Sequence, residues 1–315
     1  MTTSKCTLAA LLLILSACSP GCTGPAAGPE SGPPSGGGGA PTADADAKDP
    51  NGQAPVFERK DDIQEAPGVD LTRLTDPQRT SFFSLINSEA SACQKPHSLA
   101  VSLRDDAACK DSRNVAQFIA DVLATGASVS DIKANIEPLV DSLQPKKIDV
   151  EGRPVYGNDN APVTVVVFAD FECPHCKQEA PVLRAAIDQF RGRARLVYKH
   201  FPLNGHVRAR AAAVASVAAH EQGKFWPMHD LIFENQTTLE DADIKRFAQR
   251  IGLDMAKFEA HWKAKKGEAL VEADRAEGEK LDISGTPAVF VNGRQFNPMM
   301  FGGTVTGWID DALKR

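Results

Sequence analysis

The feature that most constrains this chain is a valine-rich run that ends in two closely spaced cysteines at the start of an amphipathic stretch. Ala161-Pro162 introduces Val163–Phe168, a continuous apolar run of the kind found in strands buried on both faces. Asp170-Phe171-Glu172-Cys173-Pro174-His175-Cys176 follows, and then Lys177–Phe190. In that stretch Val182, Leu183, Ala186, Ile187 and Phe190 recur at helical spacing and mark an expected inner face. The cysteines therefore fall where a strand ends and a helix begins. Free backbone N–H groups and the helix dipole favour negative charge there, and a thiolate is the nucleophile of thiol–disulfide exchange. Cys173 is expected to be the exposed attacker, and Cys176, one helical turn later, the buried thiol that resolves a mixed disulfide. Pro174 fits the first helical turn, where its missing N–H costs nothing. His175 adds a donor or a positive charge beside the thiolate. That stabilises the reduced form and makes the disulfide a stronger oxidant.

Two other uses of the pair are open to such a spacing. A zinc site needs a second Cys or His pair at metal spacing, and the sequence has no second C-x-x-C. His206, His220, His229 and His261 are scattered without an H-x-x-x-H pair, so no metal is expected. An inert disulfide fits poorly with a strand–Cys-Pro-His-Cys–helix context. No cofactor is expected beyond the redox pair itself.

Further along, Ile283-Ser284-Gly285-Thr286-Pro287 leads into Ala288–Val291, then Asn292-Gly293, then Arg294–Phe296. Asn-Gly between two short apolar runs predicts a hairpin with a type I′ turn. With these pieces in place the sequence resembles the thioredoxin superfamily and, within it, the DsbA-like disulfide oxidoreductases. The matching segments are Phe168–Cys176, Phe201-Pro202-Leu203, Lys224-Phe225-Trp226 and Gly285-Thr286-Pro287, spread over Ile148–Arg315. The resemblance implies an α/β thioredoxin-like fold with a helical insertion at about 204–280. It implies a cis Pro287 facing the active cysteines, and a Thr286 whose backbone offers hydrogen bonds to an incoming substrate strand. It also implies exchange partners that are cysteine-containing exported proteins, and a membrane partner that recycles the pair. One departure stands out. Many members of the superfamily carry a buried acid six residues before the first cysteine, as proton acceptor for the second, and Val167 occupies that place here. Asp170 and Glu172 lie nearer the cysteines but are not assigned that role.

Within 204–280, Val207, Ala211, Val214 and Ala218 predict one helix. Ile244, Phe247 and Ile251, closed by Gly252, predict another, and Asp254 caps a third that carries Met255, Phe258 and Trp262. Thr304–Lys314 reads as a terminal helix covering the sheet.

The first half of the chain is built differently. Thr7–Ala17 is an apolar stretch of eleven residues after the single early charge of Lys5, too short to span a bilayer and suited to a secretory signal over 1–17. It ends in Leu15-Ser16-Ala17-Cys18, which resembles a bacterial lipobox with Cys18 as the lipidated residue; an ordinary signal cleaved nearby is the other reading. Lipid chains on Cys18 would anchor the protein to the cell envelope without a membrane span, in the periplasm or on an outer face. Ser19–Pro55 holds nine Gly and eight Pro in 37 residues and no Leu, Ile, Val, Phe, Tyr or Trp, so 18–68 is expected to be a disordered tether. Cys22, within it, is given no role.

Residues 69–147 read as a small all-helical domain of about three helices. One starts at Asp76-Pro77 and carries Phe82, Phe83, Leu85 and Ile86. The next carries Val115, Phe118, Ile119, Val122 and Leu123 and stops at Gly126. The last is capped by Ser130 and carries Ile132, Ile136, Leu139 and Leu143. So small a unit needs docking or a covalent staple. Cys93 and Cys109, sixteen residues apart, predict a structural disulfide in an exported protein. A second redox pair that exchanges with the main site is the alternative.

A net charge of −6 and only 6 % aromatic residues exclude the basic stripe and stacking platform that nucleic-acid binding requires. The sequence thus predicts an exported thiol:disulfide oxidoreductase that oxidises its substrates. The alternatives are a reductase or isomerase with the same site, or a lipoprotein docking module without exchange activity.

Overall fold

The computed structural model describes residues 62–315; the signal, Cys18, Cys22 and all but the last few residues of the expected tether lie outside the described residues. In chain order the described part begins with four helices, α1 (Asp76–Ser88), α2 (Leu99–Asp105), α3 (Lys110–Ala124) and α4 (Val129–Leu143). A mixed segment follows: β1 (Val155–Gly157), β2 (Val163–Ala169), α5 (Pro174–Gln189) and β3 (Ala194–His200). Then come α6 (Ala209–His220), α7 (Phe225–Glu234), α8 (Asp241–Arg250), α9 (Met255–Lys263) and α10 (Glu268–Lys280). The hairpin β4 (Ala288–Val291) and β5 (Arg294–Gln295) and the last helix α11 (Val305–Leu313) complete it.

The sheet runs β1-β3-β2-β4-β5. β2 and β3 are parallel, with Val163 opposite Ala194 and Ala169 opposite His200. They are joined through α5, as a parallel pair requires a crossover. β1 on β3 and β4 on β2 are antiparallel. β2 is buried on both faces, which is why its sequence is apolar without alternation. Val165, Val167 and Ala169 face the larger core, shared with α5 and α7. Val166 and Phe168 face the other way, against Phe201 and Phe290.

That second face is closed by α10, whose Gly278 packs against Phe201 and Phe168. Its inward residues are Val271, Asp274 and Gly278, so it carries no apolar stripe for periodicity to detect. Asp274 is fully buried and binds Arg153 at 2.8 Å, Lys199 at 3.2 Å and the His200 N–H at 3.0 Å. Gly278 lies against the Phe201 ring, where a Cβ would approach to 2.5 Å. A buried carboxylate satisfied by two cations and an amide replaces hydrophobic packing here.

The Asn-Gly hairpin forms as expected. Asn292 and Gly293 both have left-handed backbone, φ 47° and 81°, as a type I′ turn demands. Gly293 is needed for a second reason: a Cβ there would lie 2.3 Å from the Lys146 carbonyl. The hairpin is where α3 and α4 meet the sheet. Lys146 donates its N–H to Gly293 O at 2.9 Å. Arg294, nearly buried, donates to Leu143 O at 3.0 Å, to Asp111 at 2.7 Å and to Asp311 at 2.8 Å.

Several local expectations shift. The N-terminal segment has four helices, because α2 is a seven-residue piece capped by Ser98. Ser128, not Ser130, caps α4, its hydroxyl accepting from the Asp131 N–H at 3.1 Å. Val182 is 54 % exposed and points away from the core, and Val207 precedes α6 and is 88 % exposed. β1 has only three residues, too few to show a pattern. Among the described residues no helix is long and apolar enough to cross a membrane.

Candidate active site

Cys173 is the N-cap of α5 and Pro174 its first residue. The turn that delivers them from β2 is fixed by contacts from three directions. Phe171 is buried, stacked on Tyr198 at 5.5 Å and packed on Phe233 at 5.0 Å. Gln236 donates from its amide to Phe171 O at 2.9 Å and to Cys173 O at 2.8 Å. Asp170, also buried, accepts from the Glu172 N–H at 2.6 Å and the Leu203 N–H at 2.7 Å, and is hydrogen-bonded to His206 Nδ1 at 2.7 Å. Glu172 accepts from the N–H groups of Arg208 and Ala209 at the start of α6. The two acids beside the cysteines thus hold the turn against the chain after β3. Gln236 and these acids are positioning residues; the sequence does not point to Gln236 and shows no such role for the acids. Their partners are 33 to 65 residues away, beyond any local pattern.

The Thr286–Pro287 peptide is cis. Its loop covers the cysteines: the Cys173 S–H donates to Thr286 O at 3.2 Å. This corrects the expected exposure of Cys173. The residue is 4 % exposed and Cys176 2 %, because the Thr286 carbonyl and the Phe171 turn close over the first thiol. Both cysteines are free thiols. The Asp170 N–H donates to Cys176 Sγ at 3.4 Å. Burial nevertheless dominates at Cys176, and its pKa is pushed up to about 12. The pair is therefore asymmetric: one thiol lies at the helix N-terminus under a peptide carbonyl, the other is held as a neutral thiol below it. His175, between them, is exposed to solvent.

Cys93 and Cys109 are joined by a disulfide, with Cα atoms 5.9 Å apart. They belong to the N-terminal helices, and neither lines the space around Cys176. Among the described residues no group of three or more His, Cys, Asp or Glu could hold a metal ion. Cys18 lies outside the described residues.

The family model described as Thioredoxin matches residues 149–311. Among curated proteins, the Na(+)/H(+) antiporter NhaA 3 of Salinispora tropica is 41 % identical over 160 residues, which are 50 % of this chain and 24 % of that protein. The Na(+)/H(+) antiporter NhaA 1 of Mycolicibacterium gilvum is 32 % identical over 203 residues, 61 % of this chain and 32 % of that protein. The chain thus spans about a quarter to a third of the length of these relatives. Among solved structures, oxidised BdbD from Bacillus subtilis is similar over 54 % of this chain and 98 % of its own, at 25 % identity and a TM-score of 0.48. A thioredoxin-like oxidoreductase from Silicibacter pomeroyi is similar over 56 % of this chain and 95 % of its own, at 29 % identity and a TM-score of 0.45.

Proposed function

The chain belongs to the thioredoxin family, and from this premise we propose that its Cys173–Cys176 pair oxidises cysteine pairs in exported proteins. The observation that carries this reading is the placement of Cys173: a helix N-cap within hydrogen-bond reach of the Thr286 carbonyl, with Cys176 one turn behind it. The fold and the pair together make a thiol:disulfide oxidoreductase; the direction of electron flow is the finer part of the proposal.

In the oxidised enzyme a substrate thiolate attacks Cys173 Sγ, the Cys173–Cys176 bond breaks, and Cys176 leaves with the electron pair. A second substrate thiolate attacks the substrate sulfur of the mixed disulfide and releases Cys173. The substrate gains a disulfide and the enzyme two electrons, which a membrane redox partner must remove. Thr286 and Pro287 border the thiols where a substrate strand would lie, and the Thr286 carbonyl held by the Cys173 S–H becomes free to pair with that strand once the thiol is consumed. His175, exposed beside the pair, favours the reduced form and so supports oxidation of substrates. Export, and anchorage through a lipidated Cys18, belong to the same reading and rest on the sequence of residues 1–18. The Cys93–Cys109 bridge acts in it as a structural staple of the helical segment.

Equilibration of the pair with glutathione tests the direction. An oxidant is expected to show a potential around −120 mV, whereas a value near −270 mV would make the same site a reductant.

A further inference from the structure

Cys176 gains or loses a proton each time the pair opens or closes, yet it is only 2 % exposed. The two acids that precede the cysteine pair are committed elsewhere. Asp170 is held by two amides and His206, and Glu172 by two amides of α6. Val167, which faces the thiol from β2, carries no proton.

Glu179 is placed differently. It follows Cys176 by three residues on α5, so the two side chains share a helix face. It lines two spaces at once. One is a cavity of about 10 Å³ whose wall includes Cys176, Val167, Tyr198 and His229. The other is an open groove of about 330 Å³ along Ser284, Gly285 and Phe296. Pro287 belongs to both walls. The cavity is of the size that holds about one water molecule. The Tyr198 hydroxyl is buried in its wall without a hydrogen-bond partner, which is the polar site such a water needs.

We propose that Glu179 is the proton-transfer residue for Cys176, relaying the proton across this cavity between the buried thiol and the solvent-filled groove. The inference rests on the exchange reaction proposed above. When the disulfide opens, Cys176 leaves as a thiolate and takes the proton of Glu179, which is reprotonated from the groove. When an oxidant of the disulfide class has formed a mixed disulfide on Cys173, Cys176 gives its proton to Glu179. Its thiolate then attacks Cys173 Sγ, and the oxidant's thiolate leaves. Burial raises the Glu179 pKa from its ordinary value, the direction that favours an acid holding a proton to give. The other ionisable groups facing these spaces are Tyr198 on β3, His229 on α7 and Asp282 ahead of β4. Burial raises Tyr198 well above its ordinary value and lowers His229, so both are neutral near pH 7.

The test follows reduced full-length protein as glutathione disulfide oxidises it, with the mixed disulfide on Cys173 and its closure resolved by acid quench and mass analysis. Glu179→Gln is expected to slow closure by at least about tenfold near pH 6–7, with the deficit shrinking toward pH 9 as hydroxide takes over. Formation of the mixed disulfide should stay within about twofold, because general-base help at Cys176 enters only the closing step. Glu179→Asp should recover part of the loss. Closure that is unchanged in Glu179→Gln, or slowed by the same factor at every pH, would overturn the proposal. A wild-type protein that forms no mixed disulfide at Cys173 would instead overturn the exchange reading beneath it.

Discussion

The described residues hold two cysteine pairs, and each pair has one member at the N-cap of a helix: Cys109 caps α3 and Cys173 caps α5. The helix terminus is therefore common to both and does not by itself create a redox site. The neighbours differ. Cys109 is bonded to a cysteine sixteen residues earlier, so the bridge closes a loop within the helical segment, and the Cys109 sulfur lies 3.0 Å from Ser112 Oγ. Cys173 has its partner one turn further along the same helix, and both are free thiols. The Thr286 carbonyl lies over the first and a cavity wall surrounds the second. Under the proposed function, a helix N-cap becomes a reactive thiol when a second thiol one turn later and an exposed peptide edge are supplied beside it. Without them it is a place to put a staple.

The largest expected effect comes from removing the attacking sulfur. Cys173→Ser should lower thiol–disulfide exchange by more than about a thousandfold, since a nucleophile that acts as part of a unit cannot be partly replaced. A residual activity within about tenfold of wild type would mean that the Cys93–Cys109 pair exchanges too. Opening that second pair should show the opposite profile. Cys93→Ser with Cys109→Ser is expected to cost about 3 kcal/mol of stability in chemical denaturation, the value for a loop of this length, and to leave the exchange rate within about twofold. A large rate loss at unchanged stability would assign the staple a redox role.

The two pairs should also differ in their pH response. Burial holds the Cys176 pKa at about 12, against an ordinary value of 9.0. Below pH 9 both the folded and the unfolded chain keep this proton, so the group is silent. Between about 9 and 12 only the unfolded chain releases it, and stability falls as pH rises, by up to about 1.4 kcal/mol per pH unit. The reduced wild type should therefore lose stability faster over this range than Cys176→Ser, while the bridged cysteines contribute nothing. Equal slopes would mean that the thiol is not held neutral by burial. The smallest effect is expected at Gln236, whose amide ties the turn before α5. Gln236→Ala should cost about 1 kcal/mol and slow exchange a few-fold, because two backbone carbonyls lose a donor.

How much of this was legible depended on whether the signal was local. β2, α5 and the Asn292-Gly293 hairpin could be read because burial on both faces, helical spacing and left-handed turn residues leave their mark within a few positions. α10 could not, because a buried Asp274 and a close-packed Gly278 take the place of an apolar stripe, and their partners lie in β3 and beyond. The covered state of Cys173 was hidden for the same reason, since the carbonyl above it is 113 residues further along. Glu179 sat in plain view three residues after Cys176. Only the cavity that joins it to Val167, Tyr198 and Pro287 distinguishes it from any other helical glutamate.

The most direct test of the difference between the pairs is to expose the native protein to a series of glutathione ratios at neutral pH and map the redox state of each cysteine by mass spectrometry. Cys173 and Cys176 should move between dithiol and disulfide as the ratio changes, while Cys93–Cys109 stays oxidised throughout. If the Cys93–Cys109 bridge opens and closes in step with the other pair, or if Cys173 and Cys176 do not respond at all, the assignment of one pair to chemistry and the other to structure is wrong.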